Sequence, residues 1–350
     1  MLLMDDECLP WHQDLWRQLR QRQAAGRLPH ALLLAGPAGL GKGSFARRLA
    51  RALLCDRPTV EGEACGQCRS CRLFRAGSHP DFSVVQPEED NKSIESDQPE
   101  GDAGGTGAKK KKSKAIKIEQ IRDLCAFLGY TAQYGGYKIA LLEPADRLNV
   151  NAANSLLKTL EEPPGNGLLL LVTAQPARLP ATVRSRCQKI GFGLPSPAIA
   201  VPWLTARIAG GLEPATLLDV AGGSPLAALT QADGERWRRR RELFECYEQV
   251  LAGRMDPIRA AERWTQGDLT ENLRWLIGWH TDLIRLKMSV DLPRLSNPDL
   301  RSALRRWADR GTPRALFERL DAAVRLRALC ATTQVNAPLL LETFLSDAFI

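Results

Sequence analysis

The chain has 350 residues, of which 44% are hydrophobic, and its 48 Lys and Arg against 40 Asp and Glu give a net charge of +8. This length exceeds one ordinary core, so we expect two or three domains. The basic excess permits a nucleic-acid or acidic partner, but it also fits a mildly basic solvated surface. We find neither a signal peptide nor a run of about 18 uncharged apolar residues, which favours a cytoplasmic protein over a secreted or membrane-spanning one.

Apolar strands alternate with amphipathic helices through the first half of the chain. The predicted strands are 30–36, 81–86, 137–143, 168–174 and 188–193, and the predicted helices are 14–25, 42–54, 116–129 and 149–162. Buried strands separated by helices form a parallel sheet with helices packed on both faces. The sequence therefore predicts an α/β domain over residues 1–195.

The composition changes sharply at 87–114, which is acidic and rich in Ser and Gly before it ends in a run of lysines. With almost no apolar residues, such a segment buries too little surface to stay ordered. We therefore predict a disordered surface loop. Contact between its lysines and DNA is the alternative interpretation.

Strands stop after about residue 195, and the rest of the chain has helical patterns. We expect a small helical subdomain at 196–230 and an all-α domain at 231–350. Within the all-α domain, the basic run ERWRRRRE is more typical of a solvated face or a partner contact than of a DNA site. Trp264, Trp275 and Trp279 recur near helical spacing and are typical of core or interface packing.

The stretch GPAGLGKGS, residues 36–44, follows a predicted strand and opens a predicted helix, which is the setting of a phosphate-binding loop. It supplies four residues of such a loop, Gly36, Gly39, Gly41 and Lys42. Backbone N–H groups and the helix N-terminus would hold phosphates, and the lysine would neutralise their charge. Gly43, however, stands where a Ser or Thr hydroxyl should bind magnesium. ATP binding by this loop is therefore doubtful, and we expect poor hydrolysis.

The second half of an ATPase site is also altered. An Asp that binds magnesium and a Glu that activates water normally follow a neighbouring strand, whereas this chain has Glu143 and then Pro144. Glu143 is able to reach a metal, but Pro144 has no group that acts as a base. Departures at both Gly43 and Pro144 favour a site that does not hydrolyse ATP.

Four of the nine cysteines lie close together in the sequence. Cys55, Cys65, Cys68 and Cys71 have the spacing C-x9-C-x2-C-x2-C, which suits a structural zinc ion held by four thiolates. An iron–sulfur cluster, replacement of one thiolate by His79, and a set of buried cysteines without metal are the alternatives. We see no Glu and His pair arranged to activate a metal-bound water.

Three further segments point to a known family. NSLLKTLEEPP at 154–164, LPATVRSRC at 179–187 and LPHALLLAGPAGLGK at 28–42, together with the inserted cysteine module, resemble the bacterial clamp-loader branch of the AAA+ ATPases. The resemblance covers most of residues 10–230. It implies an AAA+ sheet domain with a zinc insert at 55–71, a helical lid at 196–230 and a helical collar for oligomerisation at 231–350.

The resemblance also implies a role. The tau and gamma motors of this family carry Lys-Ser/Thr in the loop, Asp-Glu at the strand end and Gly-Ser-x-Arg where this chain has GGSPLAAL with Pro225. Three departures imply a member that is not catalytic alone. Arg186 in the SRC motif would then act in trans, as an arginine finger on the ATP of a neighbouring motor subunit. The implied partners are tau, gamma and delta subunits and, through the complex, a sliding clamp and primed DNA.

Two other functions remain open from the sequence. An active motor ATPase would hydrolyse ATP by itself and depend on Lys42. A free-standing zinc-containing DNA-binding protein would bind DNA tightly without partners and in a salt-sensitive way.

Overall fold

A computed structural model describes residues 8–87, 115–134, 136–208, 211–332 and 336–347. The contacts divide the chain into two compact units, Met1–Leu194 and Pro195–Ile350. The predicted disordered loop lies outside the described residues from position 88 onward. Among the described helices, none combines the length and the apolar character that a membrane crossing requires.

The first unit is built on a five-stranded sheet. Its strands are β1 (Ala31–Ala35), β2 (Phe82–Val85), β3 (Lys138–Leu142), β4 (Gly167–Thr173) and β5 (Gln188–Gly191). Their order is β2-β3-β4-β1-β5, and every neighbouring pair is parallel. All five predicted strands are present: β1, β2 and β3 are one residue shorter at each end than predicted, β4 is shifted by one residue, and β5 ends two residues earlier.

Helices cover both faces of this sheet. They are α1 (Gln13–Ala24), α2 (Lys42–Leu54), α3 (Arg69–Arg75), α4 (Ile118–Gly129), α5 (Val150–Glu161) and α6 (Ala181–Arg184). Alternate residues of β1 point to opposite faces, as the pleat requires. Leu33 packs in one hydrophobic core with residues of α4 and α5, whereas Leu32 and Leu34 pack in a second core with residues of α1 and α2.

The second unit is helical wherever it has regular structure among the described residues. Its helices are α7 (Pro197–Thr205), α8 (Pro214–Val220), α9 (Pro225–Gln231), α10 (Gly234–Leu251), α11 (Pro257–Thr265), α12 (Leu269–Met288), α13 (Arg301–Arg310), α14 (Pro313–Thr332) and α15 (Ala337–Ser346). Trp264, Trp275 and Trp279 are buried in one core of α10 to α15, as predicted. The predicted α/β class followed by helical structure is confirmed.

One part of the basic run on α10 is buried rather than solvated. The guanidinium of Arg240 is 1% exposed, donates a 2.6 Å hydrogen bond to Asn297 and forms a 2.8 Å ion pair with Asp299. Asp282 in turn accepts hydrogen bonds from the backbone and the side-chain amide of Asn297. Because a buried charge is costly unless it is paired, this network stabilises the position of the 297–299 segment against α10.

Candidate functional site: a phosphate-loop fold, a cysteine cluster and an outlying arginine

The glycine stretch forms a loop between β1 and α2, as its sequence predicts. Gly39 and Gly41 have φ values of 77° and 78°, in the left-handed region that glycine adopts without strain. Gly41 caps α2, whose first residue is Lys42. Gly36 lies so close to Phe192 that an added Cβ would be 2.9 Å from the Phe192 Cβ. The loop is therefore tightly held at its start as well as at its end.

The lysine of the loop is already engaged by the loop itself. Lys42 is 6% exposed, and its Nζ donates a 2.6 Å hydrogen bond to the carbonyl oxygen of Pro37. Burial lowers the pKa of Lys42, and the carboxylates of Glu143 and Asp146 oppose that shift. A phosphate would have to displace the Pro37 contact before it could pair with this ammonium group.

A carboxylate fills the place where the missing hydroxyl would stand. An added Cβ at Gly43 would lie 2.6 Å from Cδ of Glu143 and would collide with its Oε1. The same carboxylate forms a 2.6 Å ion pair with Arg47, one helical turn further along α2. Glu143 thus satisfies its charge within the protein and occupies the magnesium side of the loop.

Two aromatic side chains fix the tip of the loop. Trp11 Nε1 donates a 3.0 Å hydrogen bond to the carbonyl oxygen of Leu40, and His12 Nε2 lies 2.7 Å from the same oxygen. Burial lowers the pKa of His12 to about 4, so its ring is neutral at pH 7 and Nε2 carries the donated proton. These two contacts immobilise the loop from the N-terminal side.

The four clustered cysteines converge in space. The Sγ atoms of Cys55, Cys65, Cys68 and Cys71 all lie within 4.8 Å of one another. The distance between the Cys55 and Cys68 Sγ atoms is 3.8 Å, and between those of Cys65 and Cys71 it is 4.0 Å. Four sulfurs about 2.3 Å from a central zinc ion are about 3.8 Å apart in a tetrahedron, so this donor set fits zinc.

Backbone N–H groups point at these sulfurs, as the thiolate form needs. The N–H of Cys65 lies 3.3 Å from Cys55 Sγ, and the N–H of Cys68 lies 3.3 Å from Cys65 Sγ. Hydrogen bonds from Gln67 and Cys68 lower the pKa of the Cys65 thiol to about 6, whereas burial raises the pKa of Cys55 and Cys71. A bound cation would stabilise all four as thiolates.

His79 is not part of the cysteine cluster. Its Nδ1 accepts a 3.0 Å hydrogen bond from the backbone N–H of Asp81, and its Nε2 lies 2.9 Å from Ser70 Oγ. Ser70 Oγ also donates to the carbonyl oxygen of Leu54. Both ring nitrogens are therefore used in joining α2, α3 and β2, and the alternative of His79 as a metal ligand is wrong for this structure.

Arg186 lies far from the phosphate loop of its own chain. Gln188 is paired with Leu32 at the start of β1, so Arg186 precedes β5 at the amino-terminal edge of the sheet. The phosphate loop follows the other end of β1, about six residues further along, which corresponds to about 20 Å. Arg186 therefore lies out of reach of this loop.

The side chain of Arg186 is exposed but held. Its Nη2 lies 2.5 Å from Oε1 of Glu161, and its Nη1 donates a 3.0 Å hydrogen bond to the carbonyl oxygen of Thr182. The guanidinium is 36% exposed and the Glu161 carboxylate is 51% exposed. Solvent therefore reaches both side chains of the pair.

Sequence reasoning missed three of these charge pairs. It did not pair Glu143 with Arg47, Glu161 with Arg186, or Arg240 with Asp299. The partners lie 25 to 96 positions apart in the sequence, beyond the reach of any local periodicity. The LEEPP segment that contains Glu161 carried part of the family resemblance, but nothing in it indicated a contact with SRC.

Comparison with known proteins covers both units. A family model described as DNA polymerase III, delta subunit, matches residues 11–195, and one described as its C-terminal domain matches residues 234–348. The delta' subunit of DNA polymerase III from Pseudomonas aeruginosa is 36% identical over 96% of this chain and 95% of its own length. The Escherichia coli delta' subunit is 30% identical over 96% of this chain and 93% of its own length. The Escherichia coli tau subunit is 35% identical over 46% of this chain and 21% of its own length. The chain belongs to the family of DNA polymerase III delta' subunits.

Proposed function

We propose that this chain is a non-hydrolysing stator of a cytoplasmic clamp loader. It offers Arg186 in trans to the ATP of a neighbouring tau or gamma motor subunit and assembles with a delta subunit. The complex then loads a sliding clamp onto primed DNA during replication. The likeness to delta' subunits along nearly the whole chain supports membership of the polymerase holoenzyme.

The observation that carries the proposal is the placement of Arg186 at the sheet edge opposite the phosphate loop. An exposed guanidinium that cannot reach its own loop is suited to a phosphate on another subunit. Arginine is the fitting residue because its planar fork stays charged and binds two phosphate oxygens at once. In the transition state of phosphoryl transfer, it would stabilise the charge that develops on the γ-phosphate.

The state of the phosphate loop supports the non-hydrolysing part of the proposal. Lys42 is bonded to Pro37, and the Glu143–Arg47 pair stands against Gly43. A motor ATPase needs an accessible lysine, a hydroxyl and a metal site in this place. The alternative of an active motor is therefore disfavoured, and we propose that Gly36, Gly39, Gly41 and Lys42 now serve as a structural turn.

The cysteine cluster has a structural role in this proposal. Zinc held by Cys55, Cys65, Cys68 and Cys71 would fix the excursion between α2 and β2, a stretch with little apolar core of its own. Four cysteine ligands complete a tetrahedral zinc site and leave no position for a reacting water. The cluster would therefore make the sheet domain more rigid and would take no part in catalysis.

The test uses the reconstituted clamp loader and its DNA-stimulated ATPase. Arg186→Ala is compared with Arg184→Ala, which removes an exposed arginine of α6 for which the described residues provide no ion pair. Assembly is checked first by gel filtration. We expect Arg186→Ala to lose about a thousandfold of the turnover at the site that it serves, with Arg184→Ala like the wild type. Equal turnover for all three proteins in intact complexes would remove Arg186 from the mechanism.

A further inference from the structure

The contact between Glu161 and Arg186 suggests how the finger is controlled before it meets a phosphate. We propose that Glu161 is a charge gate, which holds the guanidinium against its own chain until the phosphate of a neighbouring subunit replaces the carboxylate. This inference rests on the proposed function of Arg186. It assigns a role to a residue that is not part of the SRC motif.

The geometry of the pair is that of an anion site already filled. One Nη of Arg186 binds the Glu161 carboxylate and the other binds the carbonyl of Thr182 in the last turn of α6. A carboxylate and a phosphate offer oxygens to the same edge of a guanidinium. The carboxylate therefore occupies the edge that a phosphate would take, and the two compete.

The end of the helix that carries Glu161 is an unfavourable place for a carboxylate. Glu161 is the last residue of α5, where unpaired carbonyl groups and the helix dipole make the surroundings negative. A carboxylate is disfavoured there unless a cation lies beside it. In the isolated chain, Arg186 therefore offsets the unfavourable position of the Glu161 charge, which favours the ion pair. An anion of higher charge would bind the guanidinium more strongly than Glu161 does and would replace it.

The exposure of the pair sets the strength of the gate. Solvent-exposed ion pairs shift an equilibrium by at most about fivefold. Such a pair restricts the many rotamers of a free arginine, but it yields to a triphosphate of higher charge. A buried ion pair would be too strong for a phosphate to replace. Here the Arg186 side chain is 36% exposed and that of Glu161 is 51% exposed.

The chain provides a matched control for Glu161. Glu162 is the next residue, is exposed, and has no ion pair in the part of the chain that the structure describes. Substituting either glutamate by glutamine removes the same charge from the same helix end. Only Glu161→Gln removes the charge that faces Arg186, while its amide can still accept an N–H hydrogen bond.

The experiment measures ATP turnover of the reconstituted complex against ATP concentration for wild type, Glu161→Gln, Glu162→Gln, Arg186→Ala and the double variant Glu161→Gln/Arg186→Ala. We expect Glu161→Gln to lower the apparent KM for ATP by about two- to fivefold without lowering kcat. Glu162→Gln should match the wild type. In the Arg186→Ala background, Glu161→Gln should have no further effect, because the gate has nothing to hold.

The outcomes separate this inference from the proposed function. If Arg186→Ala lowers turnover but Glu161→Gln behaves like Glu162→Gln, the finger stands and the gate is wrong. A fall in kcat for Glu161→Gln would make Glu161 a positioning residue that keeps the finger in place, which also overturns the gate. A change in KM that persists without Arg186 would show a direct effect of the carboxylate on ATP. No effect of Arg186→Ala would overturn both proposals.

Discussion

The carboxylate of Glu143 lies against the α-carbon of Gly43, in the space that any side chain at position 43 would need. In the sequence these are two separate departures from an ATPase site, 100 positions apart. In the structure they form one packing arrangement, completed by the ion pair with Arg47. The absent hydroxyl and the glutamate are therefore expected to change together.

The first prediction tests this coupling in the free energy of unfolding. Gly43→Ala should be about 1 kcal/mol more costly in the wild-type background than in the Glu143→Ala background, because the new methyl displaces the carboxylate from Arg47. Urea denaturation of the four proteins of the double-mutant cycle measures the difference. Gly234→Ala is the control, since Gly234, like Gly43, lies in the first turn of a helix and an added Cβ there meets no atom within 4 Å. Additive effects of the two substitutions would contradict the coupling.

The second prediction concerns the metal. The chain should bind about one zinc ion, and cobalt in its place should give the visible bands of a tetrahedral four-thiolate site. Cys68→Ser should lose the tight binding, while Cys125→Ser, which changes a cysteine outside the cluster, should keep it. Chelation should lower the thermal midpoint of the wild type and leave that of Cys68→Ser unchanged. Iron and sulfide in the purified protein would instead favour the iron–sulfur alternative.

The third prediction separates two neighbouring arginines of the basic run. Arg240→Ala should lower the free energy of unfolding by about 3–5 kcal/mol, because it leaves Asp299 and Asn297 without their buried partner. Arg238→Ala removes an exposed guanidinium and should change it by less than about 0.5 kcal/mol. Denaturant titration monitored by tryptophan fluorescence checks both. Similar costs for the two variants would contradict the buried network.

The fourth prediction follows from a buried histidine in the second unit. Burial lowers the pKa of His280 from 6.5 to about 3, with a smaller contribution from the charge of Arg319. The unfolded chain therefore binds a proton between these pH values that the folded chain does not bind. The contribution of His280 is fully retained above pH 6.5 and is lost as the pH falls through that range, at about 1.4 kcal/mol per pH unit.

The measurement is the unfolding free energy of the full chain between pH 7 and pH 5. His280→Gln cannot take up a proton, so its stability should fall less steeply with acidification than that of the wild type. The substitution also disturbs the 3.1 Å contact between Nε2 and the Tyr247 hydroxyl, so the slope and not the absolute stability is compared. Parallel slopes would mean that His280 is protonated in the folded state as readily as in the unfolded one.

Much of the fold could be predicted because its signals are local. Apolar runs located the five strands, and the helix predicted over about 42–54 is present at Lys42–Leu54, because a glycine loop precedes it and its apolar residues recur at helical spacing. Helices α3 and α6 were missed, since seven and four residues are too short to show a helical period. The 3-10 turn at Pro298–Leu300, just before α13, is likewise too short to be recognised by periodicity.

The candidate site was predictable in its parts but not in its pairings. The spacing of the cysteines was sufficient to expect their convergence, because three of them lie within one short turn and helix. The charges around Gly43 and Arg186 depend on how β3, α5 and β5 are placed by the sheet. Only the tertiary structure brings Glu143 to the loop and Glu161 to Arg186.

The two ends of β1 are thus insulated from each other by the length of the strand itself. A substitution in the loop after Ala35 has no direct contact with the residues that precede Gln188, because the four paired positions from Leu32 to Ala35 lie between them. In this architecture the residues at one edge of the sheet can therefore change without altering those at the other edge. For protein engineering, it follows that the loop edge can be redesigned, within its packing against Phe192 and Glu143, while the opposite edge is held constant.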